Sequence, residues 1–126
     1  MGPDVESAQW VESVAAVDGL DFVVAAKTRR GDRDVEVRLP ARDYAGVDAV
    51  IVDDLASTGR TLAATARALR TSGARRVDVL VTHALFVGDA LDALARAGVA
   101  SVWSSDSVPH RTNAFTLAPL LASAIE

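Results

Sequence analysis

Val50-Ile51-Val52-Asp53-Asp54-Leu55-Ala56-Ser57-Thr58-Gly59-Arg60-Thr61 is the stretch on which the fold turns. It begins as an apolar run from Ala49 to Val52, rich in β-branched residues and too short to be a helix of its own. Such a run predicts a strand buried on both faces. Two carboxylates follow where the strand should end, then a small hydroxyl-rich turn, Ser57-Thr58-Gly59. Thr61 leads into an alanine- and arginine-rich segment that reads as a helix. A helix N-terminus offers unpaired N–H groups and the positive end of the helix dipole, and so attracts phosphate. Gly59 allows close backbone approach, and the hydroxyls of Ser57, Thr58 and Thr61 can donate to phosphate oxygens. Asp53 and Asp54 accept only, which suits the vicinal hydroxyls of a sugar or a hydrated Mg²⁺. The plainer alternative is a helix capped by Asp54 or Ser57 beside a solvated strand end.

The chain has 126 residues, half of them hydrophobic, a net charge of −4 and no cysteine. Those values predict one globular domain over residues 1–126 with a core of moderate size. They exclude a disulfide framework, a thiol nucleophile and a cysteine metal site; an intracellular, cytoplasmic location fits. The acidic balance speaks against broad nucleic-acid binding, although basic residues cluster after Lys27. No apolar stretch is long enough for a membrane span, and the N-terminus is polar.

Outward from the central stretch, Val5 to Val17 has apolar residues at three- and four-residue spacing, which predicts an amphipathic helix with Asp4 as N-cap or first-turn acid. Asp18-Gly19 closes it. Asp21 to Ala26 reads as a short buried strand delivering Lys27, Thr28 to Asp34 as a polar loop, and Val35 to Leu39 as a half-exposed strand. Downstream, a helix is expected over 58–71, a strand over 76–82 ending at His83, a helix over 87–97, a strand over 99–104, a polar loop over 106–113 and a closing helix over 115–125. Alternating strands and helices imply an α/β architecture: a mostly parallel sheet with helices on both faces, three layers in all. Ligands of such sheets bind beyond the carboxyl ends of the strands, where Lys27, Asp53, Asp54, His83 and Asp106 fall on this reading. Trp10 and Trp103 read as packing residues, His83 as a structural histidine, and His110 as a loop residue without an evident partner.

Asp53 to Thr61 resembles the PRPP-binding signature shared by type I phosphoribosyltransferases and ribose-phosphate diphosphokinases (PRPP synthetases). The resemblance implies that Asp53 and Asp54 hold the ribose hydroxyls and that Ser57, Thr58, Gly59, Arg60 and Thr61 cradle the 5-phosphate. Four further stretches resemble the diphosphokinase branch: Gly2-Pro3-Asp4; Lys27-Thr28-Arg29 with the following Arg30 to Val35; Thr82-His83-Ala84-Leu85-Phe86; and Ser105-Asp106-Ser107-Val108-Pro109. Glu6 to Val11 is similar to archaeal-type members. On this resemblance the fold is type I phosphoribosyltransferase-like. The implied reaction moves diphosphate from MgATP to the anomeric hydroxyl of ribose 5-phosphate, giving PRPP and AMP. Lys27 and Arg29 would be catalytic, Mg²⁺ the cofactor, and Asp53 and Asp4 its candidate ligands. Ser57 replaces a common aspartate of the signature and Arg60 a common glycine.

The match covers only the second of the family's two similar domains, and the strand that precedes Gly2-Pro3-Asp4 there has no counterpart. The resemblance therefore implies a homo-oligomer or association with a missing N-terminal half. Two other readings remain: a phosphoribosyltransferase acting on a nucleobase, and a non-catalytic PRPP- or nucleotide-sensing module.

Overall fold

A computed structural model describes residues 1–30 and 34–125. A one-turn 3-10 helix over Val5–Ser7 leads into α1 (Ala8–Val17). Next come β1 (Ala26–Arg30) and β2 (Asp34–Arg38), then β3 (Asp48–Ala56), α2 (Arg60–Thr71) and β4 (Arg76–Ala84). The chain finishes with α3 (Ala90–Arg96), β5 (Ser101–Ser105), β6 (Asn113–Phe115) and α4 (Ala118–Ala124). The order β3-β4-β5-β6 makes a parallel four-stranded sheet, and β1 and β2 form a separate antiparallel pair.

Alternation along β3 and β4 divides the sheet into two faces. Ile51, Val77, Val79 and Val81 join Leu62, Ala63, Ala66 and Leu69 of α2 and Leu94 of α3 in the main core. Val52 lies on the other face, where Val11 and Ala15 bury the inner stripe of α1. Alanines dominate the inner stripe of α2, so the helix can sit close to the sheet; its large buried apolar side chains are Leu62 and Leu69.

Several expectations need correction. Asp21 to Ala26 is not a strand in its own right: Val24 makes a single parallel bridge to Gly2, and regular pairing starts only at Ala26. Thr28 to Arg30 and Asp34 belong to strands, because Val35 and Val37 alternate against the first of these and β2 packs on α2. The rest of the expected polar loop, Gly31 to Arg33, lies outside the described residues. Within the expected apolar run only Ile51 and Val52 are buried; Val50 stays 37% exposed. Within the expected 106–113 loop, Asn113 opens a short sixth strand. The closing helix forms, with Pro119 in its first turn, but every residue of α4 is exposed. Leu120 and Leu121 stay largely exposed, so helical spacing here did not signal burial.

Removing the fully buried Leu69 side chain leaves a cavity between α2 and the sheet. Leu69→Ala should lower stability by about 3 kcal/mol, read as a shift in the urea midpoint at constant slope.

Candidate functional site

β3 carries its pairing with β4 as far as Ala56, so Asp53 and Asp54 lie within the strand, not beyond its end as the sequence suggested, and the ladder fixes their directions. The turn that follows ends at Gly59, whose φ of 73° places it in the left-handed region that glycine occupies without strain. A side chain there would also meet Ala90 at 3.5 Å. Gly59 is the N-cap of α2 and makes no side-chain cap hydrogen bond. The first bond of the helix runs from the Ala63 amide to the Gly59 carbonyl, so the N–H groups of residues 60–62 precede the ladder and point forward from it. Neither Asp54 nor Ser57 acts as the cap, whereas Asp54 does lie exposed, as the solvated strand end of the plainer alternative requires.

The open helix end faces a cleft of about 350 Å³. Asp4, Lys27, Arg29, Asp53, Asp54 and the whole turn from Ser57 to Thr61 line it. The structure thus brings together every residue that the sequence singles out for binding or catalysis. His83 and Asp106 lie elsewhere. The His83 ring nitrogen Nδ1 pairs with the Ser107 hydroxyl at 2.8 Å, and Asp106 accepts the Leu117 amide ahead of α4. His110 has a partner that its loop context concealed: its Nδ1 lies 2.8 Å from the Thr112 hydroxyl, and its ring tilts against Phe86.

Asp4 does two things at once. Its Oδ1 accepts the amides of Glu6 and Ser7 as a helix cap, and its Oδ2 accepts a 2.9 Å hydrogen bond from the Lys27 ammonium. Both ends of that ion pair are partly buried, so it is less screened than a surface pair. Asp53 is pushed up to about 6, first because burial disfavours its charged form, with the nearby Asp54 and Asp4 charges adding to the shift. One of its oxygens also accepts the Asp54 amide.

Among the described residues no cluster of three or more acidic or histidine side chains is set for a metal ion. Mg²⁺ is usually held by one or two carboxylates plus substrate phosphates, and Asp53 with Asp54 meets that lesser requirement. Asp4 is engaged on both oxygens, so a cation there has to displace Lys27.

Trp10 is the residue that sequence reasoning misplaced. It projects from α1, 48% exposed, onto the cleft instead of into the core. The signal was available: Val11 and Ala15 define the buried stripe, and position 10 lies off it. Trp103, on β5, is partly buried against the sheet as expected.

A profile of the phosphoribosyl transferase domain family matches residues 1–110. Among curated relatives, a ribose-phosphate pyrophosphokinase of Methanopyrus kandleri is 32% identical over all of this chain and 43% of its own length. Ribose-phosphate pyrophosphokinase 1 of Archaeoglobus fulgidus is 35% identical over 99% of this chain and 44% of its own. The crystal structure of phosphoribosylpyrophosphate synthetase from Mycobacterium smegmatis superposes with a TM-score of 0.75 at 26% identity, covering 98% of this chain and 42% of that one. The chain thus spans less than half the length of these relatives, and it corresponds to their C-terminal portion.

The raised Asp53 pKa carries a sign that can be checked. The folded state binds the proton more tightly than the unfolded chain, whose value is 3.8, so this group favours folding at low pH. That contribution declines as pH rises from near 4 through about 6. Asp53→Asn should remove this component. Urea unfolding at pH 4.5 and pH 7.5 should show the variant gaining on the parent protein at the higher pH; an unchanged difference counts against a desolvated Asp53.

Proposed function

Because the chain belongs to the phosphoribosyl transferase domain family, we propose that its cleft binds ribose 5-phosphate and forms the catalytic half of a ribose-phosphate diphosphokinase. The observation that carries this reading is the N-terminus of α2, opening onto the same cleft as two carboxylates near the end of β3. A ribose phosphate presents an anion at one end and vicinal hydroxyls at the other, and the site has the complementary group at each end. The amides of residues 60–62 and the hydroxyls of Ser57, Thr58 and Thr61 receive the 5-phosphate. Asp53 and Asp54 accept from the ring hydroxyls.

The substrate's anomeric hydroxyl then attacks the β-phosphorus of ATP; the bond to the α-phosphate oxygen breaks, and AMP leaves as PRPP forms. Negative charge spreads over phosphoryl oxygens in such a transfer, so positioning and cationic stabilisation carry most of the catalysis. Lys27 and Arg29 both line the cleft and supply that charge. Lys27 starts from its ion pair with Asp4 and has to exchange that carboxylate for a phosphoryl oxygen. Mg²⁺, held through Asp53 and Asp54 together with substrate oxygens, would neutralise phosphate charge. Names and coverage of the relatives support the diphosphokinase reading over base transfer. The ordered partial match also favours association with an N-terminal portion of the kind that those relatives carry.

Incubation with MgATP and ribose 5-phosphate, followed by phosphorus NMR, should yield PRPP and AMP. If neither product forms and calorimetry shows no saturable ribose 5-phosphate binding, the reading fails. Thr58→Ala should weaken ribose 5-phosphate binding roughly tenfold, the scale of one lost hydrogen bond to a charged group. Lys27→Ala should lower kcat by about 100-fold while the dissociation constant for ribose 5-phosphate changes little. Equal losses in both would reject a transition-state role for Lys27.

A further inference from the structure

Of the 13 basic residues in the chain, Lys27 is the single lysine; the rest are arginine. A guanidinium stays charged and does not attack carbonyl carbon. A lysine amine is a cation that becomes a nucleophile once it sheds a proton. The one side-chain amine of this chain lines the cleft. Its side chain keeps 21% of its surface exposed, so the ion pair with Asp4 does not seal it off.

Asp4 ties this amine to the sugar-binding side of the cleft. Its Oδ2 lies 2.9 Å from the Lys27 Nζ, and it is near enough to Asp53 for its charge to act there. On the reading given under Proposed function, on which this step rests, Asp53 and Asp54 accept from the ring hydroxyls and the start of α2 receives the 5-phosphate. C1 of the sugar is bonded to C2, whose hydroxyl is one of those held, and it is the end of the carbon chain farthest from the phosphate. It therefore points away from α2, toward the wall made by Asp4, Lys27 and Arg29. In the ring form C1 is a hemiacetal carbon. When its bond to the ring oxygen opens, C1 is an aldehyde, the electrophile that a lysine amine attacks most readily.

We propose that Lys27 is a covalent capture site for the open-chain aldehyde of a 5-phosphorylated aldose, forming a reversible imine between its Nζ and C1. The ammonium first leaves Asp4 and gives one proton to solvent. The nitrogen lone pair then forms the bond to C1, and the carbonyl oxygen takes up a proton. Loss of one water from this carbinolamine gives the imine, with no oxidant or reductant involved. While the bond lasts, C1 carries no hydroxyl to attack a phosphorus, so the cleft is blocked. Phosphoryl oxygens of a diphosphate donor draw on the same ammonium and oppose capture. A sugar phosphate that enters without a donor is therefore held.

The test incubates the intact chain with ribose 5-phosphate, reduces any imine to a stable secondary amine with cyanoborohydride, and maps the adduct by peptide mass spectrometry. The N-terminal amine, which does not line the cleft, is the internal reference. The Lys27 adduct should saturate with ribose 5-phosphate, and its half-saturating concentration should match the dissociation constant from calorimetry. Its yield should exceed that from unphosphorylated ribose at the same concentration about tenfold, because binding turns an encounter into a step within one complex. Inorganic phosphate should suppress the Lys27 adduct and leave the reference label unchanged. Thr58→Ala should raise the half-saturating concentration by the same factor as the dissociation constant. A Lys27 adduct that rises linearly with sugar phosphate, or that ribose gives equally well, overturns the proposal. Saturable binding with no adduct at Lys27 overturns it too and leaves the binding reading standing, whereas calorimetry without saturable binding overturns both.

Discussion

The start of α2 is the constraint around which the rest of the molecule is arranged. A helix end that leaves its amides unsatisfied inside a fold costs free energy unless water or a ligand meets them. At α2 that end opens onto a cleft instead of a packed interface. Gly59 makes the geometry possible, and the β3–β4 pairing holds the preceding carboxylates in a fixed relation to it. The small residues on the inner face of α2 let the helix lie close enough to the sheet for strand end and helix end to border one cavity.

Charge in the cleft is balanced unevenly. Lys27 meets Asp4, while Asp53 is desolvated and carries the nearby charges of Asp54 and Asp4. The protein thus keeps one cation partnered and one carboxylate uncomfortable until something else arrives. A ligand bearing both hydroxyl donors and phosphate oxygens relieves the two conditions together. On the proposed reading, that pairing of needs matches a sugar phosphate better than either a simple anion or a simple sugar.

Much of this was legible in the sequence because it is local. The apolar run, the paired aspartates and the small turn before a helix specify strand, turn and helix without reference to the rest of the chain, and the Asp4 cap follows from its position ahead of Val5. What escaped depends on distant partners. The pairing of Thr28 and Arg29 with Val35 and Glu36 is invisible in a segment whose polarity alone suggests a loop. Asn113 was hidden for the opposite reason: its side chain spans Ser104, Ser105 and Val108, contacts that no periodicity encodes. Trp10 was misplaced because its size outweighed its angular position on the helix.

The exposed terminal helix has a thermal consequence. Seven residues are too few to sustain a helix in water by propensity alone, and α4 gains no burial from the sheet. Its link to the body is the Asp106 carboxylate bound to the Leu117 amide, with the Thr116 hydroxyl holding that carboxylate below the usual range. Helicity in 118–124 therefore frays gradually on warming, well before the parallel sheet melts as a unit, so a circular dichroism melt of this protein has a sloping folded baseline that belongs to α4.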